Sequence, residues 1–186
     1  GVPRQVTLDE ELHLVSKPIA EINTLRDLGK KTEHASLTVD STYKLNVGDG
    51  VSYDLSFEVD LKATSASCAE LLLRSDGEEG LRIQWDFDNA ELRVERDRAD
   101  GWSTGVSRSP LCLMGKSQLD VRICVDVCSV ELFVDGGRIA HSMNDFAPLE
   151  NKEIRFKVAD GQLVIKNLTG YPMKAVTDPA LTFELH

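Results

Sequence analysis

Long apolar runs are missing from this sequence. No segment approaches the ~20 consecutive apolar residues that a membrane-spanning helix needs. The first residues, Gly1 to Val6, also contain no hydrophobic signal region. We therefore expect a protein that either is not exported or begins upstream of Gly1.

Basic residues are also scarce. The 21 lysines and arginines are outnumbered by 31 aspartates and glutamates, which gives a net charge of −10 at pH 7. Nucleic-acid-binding proteins normally present a basic face, and segments that bind anionic lipid are rich in lysine and arginine. The charge therefore argues against nucleic acid and against a membrane surface as partners. Neutral partners, such as sugars or protein surfaces, stay open.

Cysteine is rare, and both cysteine and histidine are dispersed. The four cysteines are Cys68, Cys112, Cys124 and Cys128. No C-x-x-C pair is present and the four histidines are scattered, so we predict no metal site. A continuous strand would hold Cys124 and Cys128 ~13 Å apart, too far for a disulfide, whereas a tight turn would bring them closer. We expect four reduced and mostly buried thiols, which favours the cytoplasm slightly over an extracellular location.

What the sequence does contain is a strong period of two. Apolar residues alternate with polar ones from Leu119 to Asp126, the pattern of a β-strand with one face on a core. The alternation changes phase before Val130, so we predict a bend or turn over residues 126–129. Asp135-Gly136-Gly137 then marks a short hairpin, because aspartate and glycine tolerate a positive φ.

Similar turn signals recur every ~8–12 residues, which indicates an all-β sandwich or barrel. The one helical candidate is a short segment around Ile19 to Leu28, directly after Pro18. No linker, repeat or low-complexity tract divides the chain. We predict a single domain over residues 1–176, followed by an extension over residues 177–186 that forms either an edge strand or a disordered end.

Carboxylates are plentiful, so acid–base catalysis has to be considered. A glycosidase needs two carboxyl groups ~5–9 Å apart across the scissile bond. Asp86 and Asp88 are predicted to lie on one face of a strand, and Asp76, Glu78 and Glu79 crowd a hairpin. Neither group is flanked by residues that would raise a pKa, and we interpret both as solvated turn and edge carboxylates. The sequence also lacks the G-x-S-x-G motif of a serine nucleophile and the glycine-rich phosphate loop.

Aromatic residues make up only 6% of the chain. Trp85 falls in the apolar phase of a predicted strand and is expected in the core. Trp102 lies in a loop-like stretch, residues 99–105, and is the candidate for stacking against a sugar ring. The alternative is that Trp102 caps the sandwich or packs against a neighbouring domain.

Two neighbouring stretches form a longer signature: residues 119–126, LDVRICVD, and residues 129–137, SVELFVDGG. They resemble the L-D-x-R-x-x-V-D-x-S-S-V-E-x-F-V-x-x-G motif of family 32 glycoside hydrolases, which include invertases, inulinases and levanases. The motif belongs to the C-terminal β-sandwich of those enzymes. Three further stretches resemble the opening run, the hairpins and the closing strand of the same domain: residues 3–26, 71–98 and 168–174. The resemblance covers most of the chain, from Val2 to about Ala175.

The chain departs from the family pattern at three positions. Cys128 replaces the usual first serine of the turn, and Val127 replaces the common arginine. Tyr171 stands where tryptophan is usual. These changes separate the chain from particular members of the family and leave the domain signature recognisable.

The resemblance implies a concanavalin-like β-sandwich of two antiparallel sheets and places catalysis elsewhere. In that family the reactive residues lie on an N-terminal five-bladed β-propeller, in the motifs W-M-N-D-P-N-G, R-D-P and E-C. None of these motifs occurs in this sequence, so we predict no catalytic residue here. Met143-Asn144-Asp145-Phe146 mimics part of the first motif but lacks its flanking residues, so Asp145 is not expected to be a nucleophile. The family also implies no metal and no organic cofactor.

The resulting expectation is a non-catalytic domain that stabilises the β-propeller of a parent enzyme, which would hydrolyse fructosyl linkages in sucrose or fructans. Its exposed apolar surface should concentrate on one face, through which the isolated domain would also form a homo-oligomer. An alternative is an independent fructan-binding module built on Trp102 with Arg96, Arg98 or Asp100. A third hypothesis, a self-sufficient hydrolase, would require Asp145 to act.

Overall fold

The computed structural model describes residues 1–96, 99 and 104–175. Within these residues the chain forms fourteen β-strands and three short 3₁₀ helices. The strands are β1 (Arg4–Leu8), β2 (Leu14–Pro18), β3 (Thr32–Val39), β4 (Thr42–Leu45), β5 (Tyr53–Asp60), β6 (Cys68–Ser75), β7 (Leu81–Asp86), β8 (Glu91–Glu95), β9 (Val106–Pro110), β10 (Gln118–Asp126), β11 (Ser129–Val134), β12 (Ile139–Asn144), β13 (Glu153–Val158) and β14 (Leu163–Pro172). No helix in this part of the chain is long and apolar enough to cross a membrane. The predicted extension over residues 177–186 lies outside the described residues and stays a prediction.

The described strands build a two-layer sandwich. The first sheet has the order β12-β11-β10-β5-β14-β3, and the second has the order β4-β13-β6-β7-β8-β9. Strands β1 and β2 form a separate hairpin. Neighbouring strands pair antiparallel in both sheets. This architecture confirms the predicted all-β sandwich of two antiparallel sheets.

The core lies between the two sheets and follows from the period of two. Phe57 of β5 packs edge-to-face against Trp85 and Phe156 of the second sheet, with ring centroids 6.1 and 5.5 Å apart. Trp85 is fully buried, which confirms its predicted place in the core. The side chains that alternate with these apolar residues point away from the core and form the outer face of each sheet.

The phase change after residue 126 is a tight hairpin turn. Strand β10 ends at Asp126 and β11 begins at Ser129, and these two residues face each other in the ladder. Val127 and Cys128 therefore form a two-residue turn. The turn predicted from the alternation is confirmed.

The next hairpin closes through Asp135–Gly137, as its sequence predicted. Asp135, Gly136 and Gly137 have φ values of 56°, 65° and 93°. At Gly137 glycine is also required for space, because a Cβ would lie 2.3 Å from the carbonyl oxygen of Ser16 in β2. This loop and hairpin β1–β2 are therefore in close contact.

The cysteines are free, but the expectation that most of them are buried is wrong. Cys124 is buried, Cys68 is partly exposed, and Cys112 and Cys128 are exposed. Cys112 and Cys128 are exposed because of where they lie in the fold. Cys112 is in the connection after β9, and Cys128 is at the tip of hairpin β10–β11. Side chains in such connections face solvent.

The predicted helical segment is a 3₁₀ helix over Ala20–Leu25, followed by a second one over Leu28–Lys30. Six residues are too few to form a stable α-helix by themselves, and the tighter 3₁₀ form is usual for such short pieces. Residues 1–31, which contain hairpin β1–β2 and both of these helices, are called the N-terminal arm below.

A histidine joins the two sheets at one edge of the sandwich. His141 lies on β12, an edge strand of the first sheet, and Ser107 and Ser109 lie on β9, an edge strand of the second. The ring Nδ1 is 2.9 Å from Ser107 Oγ, and Nε2 is 3.0 Å from Ser109 Oγ. Burial lowers the pKa of His141, so the neutral imidazole makes this connection.

Candidate functional site

The N-terminal arm lies across the outer face of the first sheet. Arg4 of β1 stacks on the ring of Phe133, with the guanidinium carbon 5.0 Å from the ring centroid, and forms an ion pair with Glu131. Phe133 and Glu131 alternate with the core residues of β11 and so point away from the core. Each is nevertheless only 3% exposed. The arm therefore buries a part of the sheet that would otherwise contact water.

A buried carboxylate fixes the other end of the arm. Asp54 of β5 is fully buried and accepts hydrogen bonds from Nε of Arg26, at 2.8 Å, and from Nε and Nη2 of Arg122, at 3.0 and 2.7 Å. Arg122 also donates to Asn23 Oδ1 in the arm, at 2.8 Å. Two guanidinium groups on one carboxylate form a strong, charge-assisted network. Burial, reinforced by Asp54, raises the pKa of the Cys124 thiol to about 12, so Cys124 is not a nucleophile.

The arm also pairs with the end of β14. The N–H of Asp27 donates to the carbonyl of Pro172 at 2.8 Å, and the N–H of Lys174 donates to the carbonyl of Leu25 at 2.8 Å. The guanidinium carbon of Arg26 lies 4.7 Å from the centroid of the Tyr171 ring. Tyr171 therefore provides the aromatic face for Arg26, at the position where the family pattern has tryptophan.

Hairpin β1–β2 presents apolar side chains to solvent. Val6, Leu8, Leu12 and Leu14 are 56%, 61%, 76% and 64% exposed, and Leu8 lies opposite Leu14 in the ladder. These are four of the ten large apolar side chains that are exposed in the described part of the chain. Contiguous exposed apolar side chains often mark a contact with another protein, so hairpin β1–β2 is a candidate docking surface.

A cavity of about 520 Å³ opens beside the arm. Both ends of the described chain contribute to its wall, through residues 1–3 and residues 173–175. Ile22 and Leu25 of the first 3₁₀ helix and residues 124–127 complete much of the lining. Most of these residues are apolar, so the cavity extends the apolar character of the arm.

The outer face of the second sheet has a different character. Arg82 pairs with Glu70 and Glu95 at 3.5 and 3.1 Å, and Lys44 pairs with Glu153 at 2.6 Å. Paired charges of this kind are usual on surfaces that contact water. Hairpin β1–β2, by contrast, presents exposed apolar side chains to a protein partner.

The carboxylates that the sequence singled out stabilise turns. Asp86 accepts hydrogen bonds from the side-chain amide and the backbone N–H of Asn89, and these bonds lower its pKa. Asp76 accepts from the backbone N–H of Glu79, which lowers its pKa as well. The expectation that Asp86 and Asp88 share a strand face is wrong, because β7 ends at Asp86 and Asp88 belongs to the turn. A glycosidase acid needs a raised pKa instead.

Asp145, which mimics the family's nucleophile motif, is a buried carboxylate just after β12. It is 1% exposed, and its Oδ1 accepts a hydrogen bond from the N–H of Ala147 at 2.9 Å. Its own N–H donates to the carbonyl of Cys128 at 3.1 Å. The buried guanidinium of Arg74 binds the same segment through the carbonyl of Ala147, at 2.8 Å. These contacts make Asp145 part of the loop's internal structure.

The predicted sugar-stacking residue, Trp102, lies outside the described residues, as do Arg98 and Asp100. Arg96 is described, and its Nη1 donates to the carbonyl of Asn144 at 3.2 Å. This bond ties the end of β8 to the edge of the first sheet. A sugar site built on Trp102 therefore stays a prediction.

Sequence reasoning missed one cluster of potential metal ligands. Asp9, Glu11 and His13 meet at the turn of hairpin β1–β2, with ligand atoms within 4.8 Å of one another. Arg138 pairs with Asp9 at 2.7 Å and with Glu11 at 2.9 Å. Three ligand-type residues within five positions were the available signal. Because Arg138 pairs with both carboxylates, the cluster serves as a contact between the hairpin and the loop before β12.

These features define a two-sheet β-sandwich domain whose first sheet is partly covered by an N-terminal arm with exposed apolar side chains. The model of the family described as "Glycosyl hydrolases family 32 C terminal" matches residues 21–172. The chain belongs to this family, and it corresponds to the C-terminal domain of the family's enzymes. The resemblance that the sequence motifs indicated is confirmed.

Individual relatives agree with this assignment. A levanase from Bacillus subtilis (strain 168) is 27% identical over 186 residues, which is 95% of this chain and 27% of the levanase. The structure is similar to an exo-inulinase from Aspergillus awamori, with a TM-score of 0.77, 19% identity, and coverage of 94% of this chain and 36% of that one. It is also similar to fructan 1-exohydrolase IIa from Cichorium intybus, with a TM-score of 0.74, 13% identity, and coverage of 94% and 41%. The chain thus spans about a quarter of the levanase's length, and the solved structures share its fold.

Proposed function

We propose that this chain is the non-catalytic C-terminal domain of an enzyme that hydrolyses fructosyl linkages in fructans or sucrose. Its role is to dock against the N-terminal catalytic β-propeller and stabilise it. The substrate class is taken from the names of the relatives, which are a levanase, an exo-inulinase and a fructan 1-exohydrolase. The share of those proteins that this chain leaves unmatched is large enough for a separate catalytic domain.

The observation that carries the proposal is the group of apolar side chains on hairpin β1–β2, next to the loop that closes β11–β12. Leu8 and Leu14 are each more than 60% exposed. Covering them would contribute about 1 to 2 kcal/mol apiece. Exposed apolar side chains of this kind are used in contacts between domains.

The displaced pKa values of the carboxyl groups support a non-catalytic role. At four carboxyl groups, Asp9, Asp76, Asp86 and Glu153, the pKa is displaced, and in all four it is lowered. At Glu153 the main cause is the hydrogen bond from Lys44. A carboxyl group that stays protonated to donate to a leaving group needs the opposite shift.

Reconstitution from two separate polypeptides tests the docking role. The catalytic domain of the parent enzyme and this chain are expressed separately, mixed and analysed by size-exclusion chromatography and thermal unfolding. We expect co-elution and a higher unfolding midpoint for the catalytic domain. The double variant Leu8→Ser with Leu14→Ser should lose both effects.

Met114→Ser is the matched control, because Met114 is 94% exposed and belongs to the connection between β9 and β10, outside the hairpin. This variant should dock as the wild type does. Independent elution of the two wild-type polypeptides would contradict the proposal. Release of fructose from levan or sucrose by this chain alone would contradict its non-catalytic part.

A further inference from the structure

A polar groove of about 220 Å³ crosses the outer face of the first sheet beside the N-terminal arm. Its polar lining consists of Ser56, Glu58, Asp120, Arg122 and Asn167. The groove is smaller than the ~300–1,000 Å³ pockets that hold drug-sized ligands. Its size therefore suits one small unit, such as a single sugar residue.

Neighbouring elements hold two of these side chains in place from opposite sides. Arg122 is fixed by its bonds to Asp54 and to Asn23 of the arm. Asp120 accepts the backbone N–H of Gly136 at 2.8 Å, from the loop that packs against β2. The groove thus has a firm donor at one end and a firm acceptor at the other, which limits the entropy lost on binding.

A bulge in β14 adds a third fixed group. The ladder between β14 and β5 shifts register between Lys166 and Thr169, and Asn167 within the bulge has a φ of 52°. Its side-chain amide donates to Glu58 Oε2 at 2.9 Å. The bulge therefore directs Asn167 towards the groove and aligns Glu58 in it.

Two carboxylates face each other across this groove. Glu58 and Asp120 are directly opposite in the ladder between β5 and β10, and like charges in that position destabilise a sheet. Positive side chains flank both carboxylates, because Lys166 of β14 lies directly opposite Glu58 in the next ladder and Arg122 lies two positions from Asp120 on β10. The groove therefore places hydrogen-bond acceptors and donors side by side, as the recognition of sugar hydroxyl groups requires.

We propose that the groove binds one fructosyl unit of a fructan, an inference that rests on the proposed function for the identity of the sugar. Carboxylates accept hydrogen bonds from sugar hydroxyls, whereas the guanidinium of Arg122 donates to sugar oxygens. Two carboxylates oppose an anion, and Arg122 together with Lys166 opposes a metal cation. The ring of Phe57 beneath the groove is buried in the core. Recognition therefore depends on hydrogen bonds, and the groove guides a polysaccharide weakly towards its enzyme.

Affinity electrophoresis of the full 186-residue chain tests this site, in native gels with and without levan or inulin. The wild type should be retarded by the polysaccharide. The double variant Glu58→Gln with Asp120→Asn should raise the apparent Kd about tenfold, since each substitution weakens charged hydrogen bonds to the sugar. Both replacements keep an oxygen that accepts the Asn167 amide and the Gly136 N–H, so the fold should persist, as an unchanged or higher unfolding midpoint would verify.

The double variant Glu70→Gln with Glu95→Gln is the matched control. It removes the same charge from the outer face of the second sheet, and it should be retarded like the wild type. Equal mobility of the wild type with and without polysaccharide would overturn the proposal. Loss of retardation in Trp102→Ala would assign sugar binding to the other loop, and loss on adding EDTA would assign it to a bound cation, and either result would also overturn it.

The experiment separates this site from the docking role. The Glu58→Gln, Asp120→Asn variant should still co-elute with the catalytic domain, whereas the Leu8→Ser, Leu14→Ser variant should still be retarded by levan. If sugar binding fails, the docking proposal is therefore not affected. If docking fails, the retardation experiment still tests the groove.

Discussion

Single buried polar groups decide how the arm is attached to the sandwich. Asp54 has two arginine partners, and neither of these lies within 25 residues of it in the sequence. Glu131 and Arg4 are separated by 127 positions. Each of these ion pairs lies on the outer face of the first sheet, where the arm excludes water from charged groups. The attachment therefore depends on a few residues, and removing one partner leaves another charge buried.

Replacing Asp54 by asparagine is expected to destabilise the domain by about 3 to 5 kcal/mol, because two guanidinium groups would lose the buried carboxylate that neutralises them. Equilibrium unfolding in urea, followed by tryptophan fluorescence, measures the change. Ser56→Ala, the next outward position on β5, should stay within about 0.5 kcal/mol of the wild type. If Asp54→Asn also lowered the free energy of unfolding by no more than about 0.5 kcal/mol, the Asp54 network would contribute little to stability.

His141 predicts how stability changes with pH. Burial lowers its pKa in the folded state, so the unfolded chain binds this proton first as the pH falls below about 6.5. Stability should be fully present above that pH and decrease on acidification. His141→Gln should remove the slope between about pH 6.5 and 5, where the lowered aspartate and glutamate pKa values do not yet contribute.

Urea unfolding at a series of pH values measures this slope. The matched control is His13→Gln, since His13 is an exposed residue at the turn of hairpin β1–β2. This control should keep the slope of the wild type. If the free energy of unfolding of the wild type and of His141→Gln changed with pH in the same way, His141 would not be the cause of the pH dependence.

At the scale of elements, the loop over Asp135–Gly137 connects two parts of the structure. It closes hairpin β11–β12, and Gly137 contacts the backbone of Ser16 in β2. Gly136 has a positive φ as well, but a Cβ there would meet nothing within 4 Å. Any other residue would therefore be strained at both positions, but only at Gly137 would its side chain also collide with the arm.

Gly136→Ala is expected to cost about 1 to 2 kcal/mol, because an L-residue is strained at a positive φ. Gly137→Ala should cost more, since its methyl group would also push β2 away from the sheet. Urea unfolding gives the two free energies, and hydrogen exchange of the amides of β2 shows whether the hairpin separates. Equal costs, with unchanged exchange in β2, would contradict the close contact.

Local patterns predicted the strands well and the arm poorly. The alternation from Leu119 to Asp126 and the turn after it depend on neighbouring residues, so they can be read from a short stretch of sequence. The burial of Phe133 and Glu131 depends on Arg4, which is distant in the chain. The sandwich core was therefore predictable. The outer face, with the groove and the Asp54 network, required the tertiary structure.

The family signature in the sequence contains one residue of the outer-face network but not its partner. The arginine of the L-D-x-R signature is Arg122, which the structure places in both the Asp54 network and the polar groove. Its partner Asp54 carries no motif, because nothing in its neighbourhood distinguishes it from other outward aspartates on alternating strands. Asp88 was wrongly assigned to a strand for a related reason. The alternation of side chains in the sequence continues to Asp88, whereas the strand ends at Asp86.

At the scale of the whole molecule, the exposed apolar side chains of hairpin β1–β2 predict self-association. Without a catalytic domain, Leu8 and Leu14 would contact a second copy of the same hairpin. Analytical ultracentrifugation should therefore detect dimers at high concentration, and Leu8→Ser with Leu14→Ser should be monomeric. Met114→Ser should dimerise like the wild type. A wild type that stays monomeric at all concentrations would contradict this expectation.

Residues 1–3 and 173–175 line the same cavity, so these two segments lie near each other on one side of the sandwich. A short peptide linker could join these two points without crossing the sandwich, and proteins with neighbouring ends tolerate circular permutation and insertion into a host. The domain is therefore suited to transplantation: spliced into a surface loop of an unrelated carrier, it should fold as a guest without pulling the host's two loop ends apart.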